Sequence, residues 1–162
     1  MKRVITIPVI VFSFLMFAGT VNAQKHELLK GVSTTSVLIE DLSSAAQSAG
    51  LDVEQLQTDV ELRFRKAGIR LEKKATSYFY VRVSAVKAAP CEGYAVAVSV
   101  EFDRGGALEF VKGSSVVDVA TVWSEGILAA TSTKDFREKT RQILADLCDK
   151  FLNDFLAANP KP

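Results

Sequence analysis

Histidine is almost absent from this sequence. His26 is the only one among 162 residues. Catalytic triads and Cys-His pairs use histidine as their general base, and zinc sites use clustered His and Cys ligands. The HExxH and GxxxxGK[ST] patterns are also missing. We therefore predict that the protein is not an enzyme and that it carries neither a metal nor a cofactor.

A strong excess of one charge is missing too. The chain has 20 Lys and Arg residues against 19 Asp and Glu residues, whereas nucleic-acid-binding domains usually carry a strongly basic surface. Internal repeats, low-complexity tracts and Pro-rich or Gly/Ser-rich linkers are absent as well. With 48% apolar residues the chain can bury one sizeable core, so a single globular domain that does not bind nucleic acid is expected.

The N-terminus supplies the strongest positive signal. The letters MKR form a cationic head, the uncharged run VITIPVIVFSFLMFAG follows, and Val21 and Ala23 precede a cut at Gln24. This arrangement is typical of a secretory signal peptide, and the run is shorter than a typical spanning helix. We predict that residues 1–23 are removed and that residues 24–162 form one exported domain, periplasmic or secreted. The alternative is an uncleaved membrane anchor.

Export bears on the two cysteines. Cys91 lies in the turn-like stretch AAPCEGY and Cys148 in the last predicted helix. An oxidising compartment permits the two thiols to pair, and closing a loop of this size would stabilise the fold by about 4 kcal/mol on the chain-entropy model. We predict a Cys91–Cys148 disulfide. The alternative is that Cys148 is a small apolar residue on the buried stripe of its helix and Cys91 a free thiol.

Hydrophobic periodicity predicts the secondary structure. DVEQLQTDVELRFRKAG has apolar residues at helical spacing, with Asp52 as N-cap and Gly68 as the stop. SYFYVRVSAV and GYAVAVSVEF alternate as strands do, and DRGGA predicts a turn or a bulge between strands. STKDFREKTRQILADLCDKFLNDFLAAN predicts a long final helix that ends before Pro160.

The order of these elements, β-α-β-β-β-β-α, predicts an α+β fold. We expect a mostly antiparallel sheet of four to five strands, with two main helices packed chiefly on one face.

The run from VLIEDL through GLDVEQLQTDVELRFRKAGIRL, a strand followed by a helix that ends in LRxxGIxL, resembles a module of exported bacterial envelope proteins. This module recurs in the N-terminal domain of the translocation protein TolB and in penicillin-binding-protein activator lipoproteins. The resemblance covers about a quarter of the chain. It implies an envelope interaction domain and transfers no functional residue, and the sequence lacks the lipobox of the lipoprotein members.

A basic segment, RFRKAGIRLEKK, is a first candidate binding surface. It contains Arg65, Lys66 and Arg70, which could contact anionic lipid headgroups or envelope polymers. The alternative is that these cations complement the C-terminal end of the helix dipole and keep an edge strand soluble.

The open face of the sheet is a second candidate. Tyr78, Tyr80 and Arg82 project together from one strand, and Trp123 and Glu125 would join them if the strand parities agree. Tyrosine, tryptophan and arginine are enriched at protein interfaces. The alternative for Trp123 is a place in the core.

Carboxylates offer a third site. Glu101 and Asp103 share a strand face, and Glu109 would return nearby if DRGGA formed a turn. The functional hypothesis is a non-enzymatic exported accessory domain that binds another envelope protein or an anionic envelope component. The alternatives are a small-ligand binder or hydrolase that uses the carboxylates near Glu101, and a structural protein that self-associates through the open face into a homo-oligomer.

Overall fold

The computed structural model describes residues 27–88, 92–111 and 114–160, with the backbone alone for 107–111 and 114–118. The predicted signal peptide, His26 and Cys91 lie outside the described residues. No helix within the described ranges combines the length and the apolar character that crossing a membrane requires.

In the described part of the chain the elements follow the order β-α-α-β-β-β-β-α, preceded by a short helical stretch at 27–29. They are β1 (Thr34–Ile39), α1 (Ser44–Ser48), α2 (Val53–Lys66), β2 (Arg70–Leu71), β3 (Ser77–Ala88), β4 (Gly93–Val111), β5 (Ser114–Ser132) and α3 (Phe136–Ala158).

The strands form one sheet in the order β2-β1-β3-β4-β5. β1 pairs in parallel with β2 and with β3, because α1 and α2 carry the chain back across the sheet before β2 begins. β3, β4 and β5 pair in antiparallel fashion. The predicted α+β class and strand number are confirmed. Most of the pairing is antiparallel, as expected, and the parallel pairs of β1 make the sheet mixed.

Local sequence signals explain where α2 begins and ends. The carboxylate of Asp52 accepts a hydrogen bond from the backbone N–H of Glu54 at 3.0 Å, as an N-cap should. Gly68 has a φ of +84°, a conformation that glycine adopts without strain, and the helix ends there. The buried side chains of α2 are Leu56, Val60 and Phe64, three of the five residues of the predicted stripe; the other two, Val53 and Ala67, are half-buried.

The core lies between the helices and one face of the sheet, and Phe151 of α3 is at its centre. Its ring centroid lies 4.9 to 5.6 Å from those of Phe64, Phe79, Phe102 and Trp123. Aromatic rings at such separations gain energy beyond the area that they bury. The helices therefore attach to the sheet through one aromatic cluster.

The DRGGA stretch is not a turn. β4 runs through it without a break, and the prediction that the chain reverses there is wrong. A Cβ at Gly105 would lie 2.7 Å from the carbonyl oxygen of Thr76, so glycine is needed where β4 passes the start of β3. A bulge does occur beside this stretch, but on β5 and not within DRGGA. Phe102 pairs with Trp123 and Asp103 with Thr121, which leaves Val122 of β5 as the extra residue.

Candidate binding face

The helices cover one face of the sheet, and no element among residues 27–88, 92–111 and 114–160 covers its other face, here called the open face. In β3 the burial alternates with a period of two: Phe79 and Val81 are buried, whereas Arg82 and Ser84 are exposed. The strand register shows which residues share the open face. They are Leu38, Tyr78, Tyr80, Arg82, Ser84, Val86, Ala95, Ala97, Ser99, Glu101, Asp103, Ser124, Gly126, Leu128 and Ala130.

One half of the open face is polar. We call it the polar half and define it by Glu40, Tyr78, Tyr80, Arg82, Glu101 and Asp103. At its centre the Arg82 guanidinium forms an ion pair with Glu40 and lies 5.6 Å from the centroid of the Tyr80 ring. The hydrogen bond from Arg82, followed by one from Tyr80, lowers the pKa of the Glu40 carboxyl. These contacts hold the guanidinium in one place on the face.

Tyr78 and Asp103 form a neighbouring cross-strand pair in the polar half. The hydroxyl of Thr121 on β5 donates a hydrogen bond of 2.6 Å to Asp103, which is buried. Burial, with a smaller contribution from the charge of Asp103, raises the pKa of Tyr78. Three adjacent strands thus contribute to one continuous polar surface.

The other half of the open face is apolar. We call it the apolar half and define it by Val86, Ala95, Ala97, Leu128 and Ala130. Val86 is 67% exposed and Leu128 is 78% exposed. The register sets Ala97 beside Leu128, and Ala95 between Val86 and Ala130. The apolar half therefore reaches from β3 to the outer edge of β5.

Trp123 does not belong to the open face, and the prediction that it would join Tyr80 and Arg82 there is wrong. Its partner in β4 is Phe102, a core residue, and only 2% of Trp123 is exposed. The indole N–H donates a hydrogen bond of 2.8 Å to Asp154 of α3. Glu125 lies on the same, covered face of the sheet as Trp123, and it forms an ion pair with Lys150 of α3 at 2.7 Å.

The three carboxylates do not gather into one site. Glu101 pairs with Ser124 and Glu109 with Ser115, so the two acids lie about 26 Å apart along one extended strand. Within the described ranges, no group of three or more His, Cys, Asp or Glu residues could hold a metal ion. Of the three, only Glu101 lines a shallow depression, whose other walls include Ser99, Ser124, Glu125 and Gly126.

The basic segment is charge-compensated in part, at its arginines. Arg65 forms an ion pair with Glu61 at 2.6 Å, and Arg70 forms one with Glu72 at 3.0 Å. Lys66 lines a groove between α2 and α3. Three cations close the last turn of α2, where they complement its dipole. The pairing favours the alternative role of this segment, which is to stabilise a helix end.

The groove between α2 and α3 has a volume of about 530 Å³, and no pattern in the sequence predicted it. Arg141 of α3 crosses it with two hydrogen bonds to Asp59 of α2, at 2.8 and 3.0 Å. These two residues are 82 positions apart in the chain. Their juxtaposition follows from tertiary packing and not from a local pattern.

Cys148 lines this groove and is fully buried. Burial raises its pKa from 9.0 to about 12, so the thiol stays protonated near neutral pH and is not a nucleophile there. The placement of Cys148 on the buried stripe of the last helix is as expected. Because Cys91 lies outside the described residues, the Cys91–Cys148 disulfide stays a prediction.

No protein-family model and no curated protein matches this chain. Its structure is similar to that of a minor lipoprotein from Acinetobacter baumannii, at 13% identity and a TM-score of 0.38, over 81% of this chain and 98% of that one. It is also similar to a dodecameric PelC from Paraburkholderia phytofirmans, at 14% identity and a TM-score of 0.44, over 78% of this chain and 85% of that one. Both likenesses are too low to bear on fold or function.

Proposed function

We propose that this protein is a non-enzymatic, exported accessory domain of the bacterial envelope, and that it binds another envelope protein through the polar half of its open face. One observation carries the proposal: the helices of the described residues all pack on the same side of the sheet, and none of them covers Tyr80 and Arg82 on the other side. The signal-peptide pattern supports export. A half-buried tyrosine beside an exposed arginine is a typical pair of binding anchors.

The charges of the polar half favour a basic partner. Glu40, Glu101 and Asp103 provide three carboxylates, and Arg82 provides one cation. A partner surface with lysine or arginine would be attracted to this excess, whereas an anionic polymer would be repelled. We therefore infer a protein partner with a basic contact surface.

The geometry also limits the entropic cost of binding. Arg82 carries a flexible side chain, but Glu40 and Tyr80 already hold it in the free protein. Less side-chain freedom is then lost when a partner docks. The three residues act together, so removal of one should weaken binding without unfolding the sheet.

Photo-cross-linking in the native envelope tests this proposal. A photoreactive amino acid replaces Leu38, which pairs with Tyr80 in the sheet and is 45% exposed. We expect one discrete adduct with a protein, and we expect its yield to fall at least about tenfold when Arg82→Ala or Tyr80→Ala is added. Salt should reduce it as well, because exposed charges are screened beyond about 10 Å at 0.1 M.

The matched control places the same photoreactive amino acid at Lys74, an exposed position between β2 and β3. This position should give no such adduct. Thermal unfolding of each variant verifies that the domain is folded. An adduct at position 38 that survives both the Arg82→Ala and the Tyr80→Ala change, or the absence of any adduct, would refute the proposed surface.

A second candidate function rests on the depression beside Glu101, which is lined by Ser99, Ser124 and Gly126. A carboxylate next to hydroxyl groups suits a small cationic or hydroxyl-rich ligand. Thermal stabilisation by such a ligand that is lost in Glu101→Gln, with the fold intact, would favour this function. The effect should be absent if the face binds only a protein.

A further inference from the structure

The two edges of the sheet are protected to very different degrees. At one edge β2 is only two residues long, and Glu72, Lys73 and Lys74 follow it. Short edge strands and lysine are the usual means by which proteins prevent unwanted strand pairing. At the other edge, β5 is 19 residues long. Among the described elements it contacts only β4 and α3, so its outer edge is uncovered.

Beyond its bulge, β5 has none of these protective features. The stretch from Trp123 to Ser132 contains no proline and no lysine, and its one charged residue, Glu125, is engaged with Lys150 on the covered face. The bulge lies at Val122, at the start of this stretch. Six residues, Gly126–Thr131, therefore present unpaired backbone groups and apolar side chains at a regular strand edge.

We propose that this edge of β5 pairs in antiparallel fashion with β5 of a second copy of the chain, so that the two sheets join across a twofold axis. The inference is independent of the proposed partner surface, because it uses the apolar half of the open face and not the polar half. A twofold pair needs no second surface, since the same strand serves both copies.

The charge pattern favours a second copy as the occupant. The run from Gly126 to Thr133 has no ionisable side chain, so self-pairing sets no like charges opposite each other. The residues that flank it are opposite in sign, Glu125 before it and Lys134 after it. In an antiparallel pair centred on Leu128, Glu125 lies opposite Thr131 of the other copy and meets no like charge, whereas a parallel pair in register would set each flanking charge beside its own copy.

The apolar half continues across this edge. Leu128 and Ala130 are its outermost members, and a twofold axis near Leu128 would place the Leu128 side chains of the two copies side by side. Their exposed apolar surface would then be buried. Six paired residues cover less than the roughly 800 Å² per partner of a standard stable interface. The dimer should therefore dissociate reversibly on dilution.

Sedimentation velocity of the purified exported chain, from about 1 to about 200 μM, tests the inference across the range expected of a small interface. We expect a monomer–dimer equilibrium for the unchanged chain. Leu128→Lys places two lysines together at the twofold axis and should weaken the dimer at least about tenfold. Leu38→Lys makes the same change at the far side of the open face and should leave the dimer intact.

Val86→Lys separates edge pairing from face stacking. Val86 belongs to the apolar half but lies on β3, two strands away from the edge. Edge pairing predicts that this variant still dimerises, whereas stacking of two open faces predicts that it does not. The inference is overturned if the unchanged chain is monomeric at every concentration, if Leu128→Lys dimerises normally, or if Val86→Lys and Leu128→Lys lose the dimer equally. Thermal unfolding confirms that each variant is folded.

Discussion

The two faces of the sheet are made from the same strands, but their side chains have different tasks. On the covered face Phe79, Phe102 and Trp123 contact Phe151 of α3 and are almost fully buried. On the open face, one residue away along the same strands, Tyr80 and Glu101 lie in a polar surface that none of the helices in the described part of the chain covers. The alternation thus separates the residues that hold the fold together from those that are free to bind.

This difference has an energetic consequence. Burial contributes about 25 cal/mol per Å² of apolar surface removed from water, so the covered face provides most of the folding energy. Substitutions on an exposed surface usually change stability by less than about 0.5 kcal/mol. Open-face variants should therefore remain folded, and their binding defects can be interpreted directly.

Phe151→Ala should produce the largest effect on stability. The change removes the ring at the centre of the aromatic cluster and leaves a cavity, so we expect the free energy of unfolding to fall by about 3 to 5 kcal/mol. Urea unfolding followed by fluorescence of Trp123, the only tryptophan, measures it directly.

The matched control is Leu38→Ala, a large-to-small change on the open face. It should cost less than about 1 kcal/mol, because Leu38 is partly in water already. Similar decreases in the free energy of unfolding for Phe151→Ala and Leu38→Ala would contradict the conclusion that the covered face provides most of the stability.

Cys148→Ser should have an intermediate effect. The change places a hydroxyl where a buried, weakly polar thiol packs, and the free energy of unfolding should fall by about 1 to 3 kcal/mol.

This loss of stability should also depend on pH. Burial raises the pKa of the thiol to about 12, so its contribution to stability is complete below pH 9.0 and is lost as the pH rises through about 12. Urea unfolding at neutral and alkaline pH should show that the stability difference between the unchanged protein and the Cys148→Ser variant shrinks as the pH rises.

Alkylation under native conditions provides the check on this expectation. A buried, protonated Cys148 should react slowly in the native protein and rapidly in urea, without any reductant. If the thiol becomes reactive only after reduction, it is paired with Cys91 in the predicted disulfide. The alkaline pH dependence should then be absent.

Much of the fold follows from periodicity. The 3.6-residue pattern predicted α2 and its buried Leu56, Val60 and Phe64, and the two-residue pattern predicted which side chains of β3 face the core. The cap at Asp52 and the stop at Gly68 were also evident. These signals are local, because hydrogen bonding and burial within one element depend on residues a few positions apart.

The errors arose where distant segments meet. Two adjacent glycines in DRGGA are typical of a turn, but Gly105 is required because β4 passes close to Thr76, 29 residues earlier. The face of the sheet on which Trp123 lies was predicted wrongly for a related reason. Alternation within β5 assigns Trp123 and Glu125 to one face, and only the pairing with Phe102 shows that it is the covered face. The groove between α2 and α3 depends on helix packing in the same way.

Arg82→Ala should change stability least among these variants, and it tests the open face of the sheet directly. The Arg82 hydrogen bond lowers the pKa of the Glu40 carboxyl, and both groups are exposed. The small stabilisation from this pair is present above the ordinary pKa of a glutamate and is lost as the pH falls through the lowered pKa.

In Arg82→Ala the titration midpoint of Glu40, followed by NMR of its side-chain carboxyl carbon, should rise towards the ordinary value, while the melting temperature at neutral pH stays nearly constant. Glu40→Gln is the control that identifies the resonance. A midpoint that does not move would mean that Arg82 is not held by Glu40 in solution, and the preorganised binding surface would lose its basis.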